Sequence, residues 1–210
     1  MDYRRMQLQL FLVIIICLII GCNNGAFKKE IRENERNELI TTLNKIYLAD
    51  QKSREKVSAY ITKYGIKSAE VKELGREIAK TDSMNMIVIK NIINKYGWLS
   101  KEIVGEQANK TLFLVVQHGS KSDRKYFLPL MRLAVKNNAA SAKDLAFLED
   151  RVAEEEGRKQ IYGTQIGFDE KKNKYFVLPI KNPKRVDELR AKVGLPPLSV
   201  QLSQWRIEVN

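Results

Sequence analysis

His118 is the only histidine in the chain. The ordinary pKa of its side chain lies near neutrality, which makes it the residue best suited to move a proton at physiological pH. It follows Gln117 at the end of an apolar run. Two aspartates, Asp50 and Asp82, stand where the hydrophobic pattern calls for apolar residues. An ionised carboxylate turned toward a core is costly unless it is paired, so both need partners. For Asp50 the local partner is Arg54, one helical turn further along, with Gln51 beside it. Asp82 has an alternative use as a helix cap after a break. An aspartate that reached His118 would orient the imidazole as a general base on water.

Two denser polar clusters follow: Asp150-Arg151, and Gln160-x-Tyr162-Gly163-Thr164-Gln165. The guanidinium of Arg151 is a planar fork suited to a carboxylate or a phosphate. If the second cluster is a strand, its period of two puts Gln160, Tyr162 and Thr164 on one face and Gln165 on the other. The alternative use of both clusters is packing of a helix on a hairpin, with Asp150 and Arg151 tying the two together.

Several chemistries have no support. There is no Gly-x-Ser-x-Gly elbow, no phosphate-cradling glycine loop and no dinucleotide fingerprint. One histidine leaves a zinc site dependent on carboxylates, and Asp169 to Lys174 offers too few oxygen ligands for a calcium loop. The sequence therefore predicts no metal and no cofactor.

The elements that must position these residues are mostly helical. Leu39, Leu43, Ile46, Asp50, Ser53, Val57 and Tyr60 form one stripe of a long helix. Ser68 caps a second, with its stripe at Val71, Leu74, Ile78, Asp82, Asn85, Ile89, Ile92 and Tyr96, and a break possible near Thr81 or Asp82. Gly97 ends it. Leu112 to Val116 is short and apolar, and helix is favoured over strand. Tyr126 to Val135 and Leu145 to Val152 are further helices, the latter opened by the capping-box-like Ser141-Ala142-Lys143-Asp144. Ile161 to Phe168 and Tyr175 to Ile180 read as a hairpin around a polar turn. Asn182-Pro183 starts a short helix that stops near Gly194, before Pro196 and Pro197. The predicted class is α+β, mainly α: a helical bundle followed by a C-terminal β-hairpin and a short helix.

The N-terminus predicts location. Arg4 and Arg5 precede an uncharged apolar run from Leu10 to Ile20, too short to span a bilayer comfortably. The run ends in Ile19-Ile20-Gly21-Cys22, which has the form of a lipobox. Residues 1–21 are then a signal peptide, 22–35 a lipidated cysteine and flexible tether, and 36–210 one globular domain. Several acyl chains on Cys22 would hold the protein stably on a membrane. Cys17 falls in the removed segment, so no thiol remains for a disulfide or a nucleophile. The expected location is extracytoplasmic, on the cell membrane or the outer membrane.

The formal charge of +12 raises the question of nucleic acid, but the basic residues are scattered and not interleaved with aromatics. Export argues against it too. The expected partners are the membrane, anionic envelope components, and a small-molecule or peptide ligand.

In order along the chain, Asp50-Gln51-x-x-Arg54, Asp82, Tyr96-Gly97-Trp98, Val104-Gly105, Gln117-His118, Asp150-Arg151-Val152, Gln160-x-Tyr162-Gly163-Thr164-Gln165 and Val186-Asp187-x-x-Arg190 with Gly194-Leu195 resemble a family of uncharacterised bacterial lipoproteins. It is a domain of unknown function found mainly in the Bacteroidetes. Where that family often has an acidic pair after Gln-His, this chain has Gly119-Ser120. The resemblance implies no established activity.

The leading expectation is a lipid-anchored binding module in which Asp50, Asp82, His118, Arg151, Gln160, Tyr162 and Gln165 converge on one polar cleft. A hydrolase is the second, with His118 as base, Asp82 or Asp50 orienting it, and Arg151 stabilising an anion. A structural envelope protein with internal polar struts is the third.

Overall fold

The computed structural model describes residues 31–169, 172, 174–203 and 207. Cys22 and the expected leader lie outside the described residues, as does most of the expected tether. Helix α1 (Glu33–Arg54) begins inside the stretch assigned to the tether, with Glu33 and Glu35 favouring its positive N-terminal end. Its buried side chains are Leu39, Leu43, Ile46 and Asp50. The long helix expected to reach Tyr60 is interrupted. Lys56 N–H donates to Ser53 O (3.3 Å) in a tightened turn, and α2 (Val57–Tyr64), which buries no residue, begins after it.

Helix α3 (Ala69–Tyr96) opens on Ser68, whose hydroxyl accepts the Val71 N–H (3.1 Å). It runs unbroken through Thr81 and Asp82, so Asp82 is a mid-helix residue and not a cap. Gly97, at φ 72°, ends it in the left-handed region that favours glycine. A short α4 (Lys101–Val104) leads into α5 (Glu106–His118), where the run Leu112 to Val116 is helical as expected. Helix α6 (Lys121–Lys136) is opened by a reciprocal capping box of Ser120 and Asp123. In α7 (Ala142–Glu155), Ser141 accepts the Asp144 N–H (3.4 Å), but the Asp144 carboxylate turns to Lys110 instead of closing a box.

The core lies among these helices. Helix α1 packs on α3 and α5, α5 also on α6 and α7, and α6 on α7. Leu43, Ile89, Leu112, Val116, Phe127, Met131 and Leu148 are completely buried there. Each such side chain contributes about 1.5–3 kcal/mol to folding.

Strands β1 (Ile166–Asp169) and β2 (Lys174–Val177) form the expected antiparallel hairpin, Ile166 opposite Val177. A 3₁₀ turn at Pro183–Arg185 leads into α8 (Val186–Lys192). After the two prolines comes α9 (Leu198–Ser203), which is too short for its periodicity to be read from sequence. The fold is α+β, mainly α. Among the described residues, no helix is long and apolar enough to cross a membrane.

Candidate functional site

Three helices meet at His118, the last residue of α5. Its Nδ1 lies 2.9 Å from Asp50 Oδ1 on α1. The Asp50 side chain is 1% exposed and that of His118 is 24% exposed. Burial by itself raises the Asp50 pKa, but the hydrogen bond and charge of His118, the charge of Arg54 and the hydrogen bond from Gln51 outweigh it. The carboxyl is held below its usual range. An ionised carboxylate only accepts hydrogen bonds, so the Nδ1 proton belongs to the imidazole. The other ring nitrogen, Nε2, is then the proton-accepting atom of the neutral ring. Among the described residues, Nε2 has no hydrogen-bond partner.

Arg54 locks this arrangement. Its Nη1 donates to Asp50 O and lies 3.1 Å from Asp50 Oδ1, the turn-spaced pair that the sequence suggests. Its Nη2 donates to both oxygens of Asp82 on α3, at 2.9 and 2.8 Å. Gln51 Nε2 completes the shell, donating to Asp50 Oδ2 (2.7 Å). Asp50, Asp82 and His118 each offer one ligand atom, all within 4.8 Å of one another, and could group around a metal ion. The guanidinium already bridges the two carboxylates, however, and a dication would face it at close range. As arranged, the cluster is an ion-pair network ending in an imidazole.

Arg124 fixes the end of α5. From α6, its Nη1 donates to Gln117 O (3.0 Å) and to Gly119 O, and its Nε donates to Glu155 Oε2 (3.1 Å) on α7. Gly119 allows close approach here: a Cβ at this position would lie 2.4 Å from Met86 Cε of α3. Arg124 did not stand out in the sequence, and Gly119 did so only as a departure from the family pattern, because their use depends on which helices are neighbours.

The Gln-x-Tyr-Gly-Thr-Gln stretch is not a strand. Asp150, fully buried on α7, gathers the N–H groups of Ile161 (2.6 Å), Tyr162 (3.1 Å) and Thr164 (3.0 Å), and the Thr164 hydroxyl (3.0 Å). Backbone N–H groups that converge on one anion cannot alternate as a strand requires. Gly163 takes φ 70° at the bend, and a Cβ there would press on Leu198 Cδ1 at 2.9 Å. Gln160 joins the loop to the chain after β2: its Nε2 donates to Gln165 O (3.1 Å) and Leu178 O (2.6 Å), and its Oε1 accepts Gln165 N–H (2.9 Å). On the far side lies Arg190 of α8, also fully buried. It donates to Tyr162 O (2.6 Å), Pro196 O (2.7 Å) and Gln201 Oε1 (2.7 Å).

The expected single cleft is therefore divided. Asp50, Gln51, Arg54, Asp82 and His118 form the first cluster. Asp150 and Gln160 direct their polar atoms to backbone in the second. The Tyr162 hydroxyl turns to Glu149 (3.4 Å), and burial, then the Glu149 charge, push its pKa up to about 12. Gln117, Arg151 and Gln165 line a separate cleft of about 450 Å³ with Lys143 and Phe147. Asp50, Asp82 and His118 are not among its lining residues.

The comparisons with known proteins agree with the ordered motifs. Residues 38–205 match the family of unknown function DUF6624. The chain belongs to that family. The DUF6624 region takes in both polar clusters, the cleft and every helix described here except the first turn of α1. No curated protein and no solved structure matches the chain.

Proposed function

We propose that the chain is a lipid-anchored extracytoplasmic hydrolase in which His118 is the general base. The reading rests on one observation, the 2.9 Å contact between His118 Nδ1 and the buried carboxylate of Asp50. Asp50 sets the ring orientation and stabilises the imidazolium that forms, as the carboxylate does in any acid-histidine pair. Nε2 takes a proton from water as its oxygen bonds to an electrophilic carbon or phosphorus. The imidazolium then returns that proton to the departing group. Arg54 and Asp82 are positioning residues: the Arg54 charge favours ionised Asp50, and Asp82 holds the Arg54 guanidinium in place.

Two measurements test this. In ¹⁵N spectra of the histidine-labelled full chain, the neutral ring is expected to carry its proton on Nδ1. Turnover of chromogenic carboxylic and phosphate esters is expected to fall at least 100-fold in His118→Asn. An Nε2–H tautomer, or equal turnover by wild type and H118N, defeats the reading. The anchor is supported by the lipobox form of Ile19 to Cys22. Intact-mass analysis of the membrane-extracted protein is expected to show an acylated chain starting at Cys22, lost in Cys22→Ser.

A further inference from the structure

The cleft beside Gln117 carries charge that no described residue pairs with. Lys143 and Arg151 stand two turns apart on the same face of α7, both exposed, with Phe147 between them. Among the described residues, no acid lines the cleft. Among the described residues, neither cation makes an ion pair or hydrogen bond. Most acids of α7 are engaged elsewhere: Asp144 with Lys110, Glu149 with Arg132, Asp150 with the loop and Glu155 with Arg124. Glu154, exposed and one turn from Arg151, makes no ion pair with it among the described residues.

The rest of the lining is polar at one end and apolar at the other. Gln117 contributes a carboxamide whose Oε1 is buried and has no partner, so it keeps hydrogen-bonding capacity that no described residue uses. Gln165 and Gln201 are held in place by their bonds to Phe147 O and from Arg190. Phe147, Ile166 and Leu195 supply apolar wall. Two uncompensated cations, fixed amides and an apolar side are the furnishings of a small-ligand site.

We propose that this cleft binds a small molecule bearing an oxyanion (a phosphoryl or carboxylate group) on an apolar body. The oxyanion sits on the Arg151 fork with Lys143 adding charge, and the amides orient the adjacent polar atoms. The assignment stands whether or not His118 acts as a base, because the His118 cluster lies outside the cleft lining.

The test is calorimetric titration of the full-length chain in detergent with phenyl phosphate and with N-acetylphenylalanine, at constant ionic strength. Saturable binding of phenyl phosphate assigns a phosphoryl ligand, and of N-acetylphenylalanine a carboxylate one. Arg151→Gln is expected to weaken the bound probe about tenfold and Lys143→Gln by less. Both side chains are exposed, so the variants fold. Arg76→Gln, on α3, is expected to bind as wild type does. Absence of saturable binding to both probes overturns the proposal, as does equal binding by R151Q and R76Q. Loss of binding in H118N with R151Q unaffected would move the anion to the His118 cluster and overturn it too.

Discussion

Asp50 and Asp150 are both carboxylates withdrawn from solvent, at 1% and 0% exposure, yet they are satisfied in different ways. Asp150 accepts from three backbone N–H groups and a hydroxyl, all from the four-residue stretch Ile161 to Thr164. Every bond it makes serves to hold that loop, and Arg190 grips the same loop through Tyr162 O. Asp50 is met by side chains, His118, Arg54 and Gln51, drawn from two helices. Its network does not close: it ends in an imidazole nitrogen at a partly open surface. A closed cage costs stability when broken and does no chemistry. An open-ended network carries both a structural and a chemical consequence, and the two can be separated.

The largest expected effect on stability comes from the cage. Asp150→Ala leaves three buried N–H groups without an acceptor and should destabilise the fold by about 3–5 kcal/mol in urea unfolding. A loss under 1 kcal/mol would mean that the loop is held by other contacts. Next, Asp150→Ala and Arg190→Met act on the N–H and C=O of the same residue, Tyr162. Their double-mutant cycle should show coupling above about 0.5 kcal/mol. Strict additivity would separate the two grips.

In the open network the consequences should divide. Asp50→Asn should cost about 1–3 kcal/mol, because it leaves Arg54 and His118 facing a neutral amide. His118→Asn, at a partly exposed position, should cost about 1 kcal/mol or less while removing turnover. A larger stability loss in H118N than in D50N would make the histidine a strut.

The smallest effect is in pH. The folded Asp50 pKa is depressed below the unfolded value of 3.8. Its contribution is therefore fully present above that value and is lost as pH falls through the lower folded one. The stability gap between wild type and D50N should be constant from neutral pH down to the carboxylate range and close below it. A gap that closes well above the carboxylate range would show that another group controls it.

The two regions also differ in how much of them the sequence exposed. Asp50 and Asp82 were visible because each broke a stripe of apolar residues, and Arg54 because it lies one turn from Asp50. The bond to His118 was not visible, since 68 positions separate the pair and no local pattern fixes which helices meet. The Gln160 to Gln165 stretch misled in the other direction. Its β-branched and aromatic residues have the composition of a strand, but a buried carboxylate from a distant helix collects its N–H groups and bends it. Arg124 went unnoticed, and Arg190 stood only as part of the Val186-Asp187-x-x-Arg190 motif, for the same reason: an arginine on a short or amphipathic helix looks solvated until its neighbours are known. Lys143 stood in the sequence as part of a helix start, and only its lack of an ion pair among the described residues sets it apart.

By itself the sequence determined the fold class, most helix ends, the hairpin and the polar residues that interrupt the core pattern. All of these follow from periodicity, capping and turn chemistry, which act over a few residues. Tertiary structure alone decided that the polar residues sort into a cage, an open network and a separate cleft. Pairing of buried charge is settled by which surfaces pack together, and packing is a property of the whole chain.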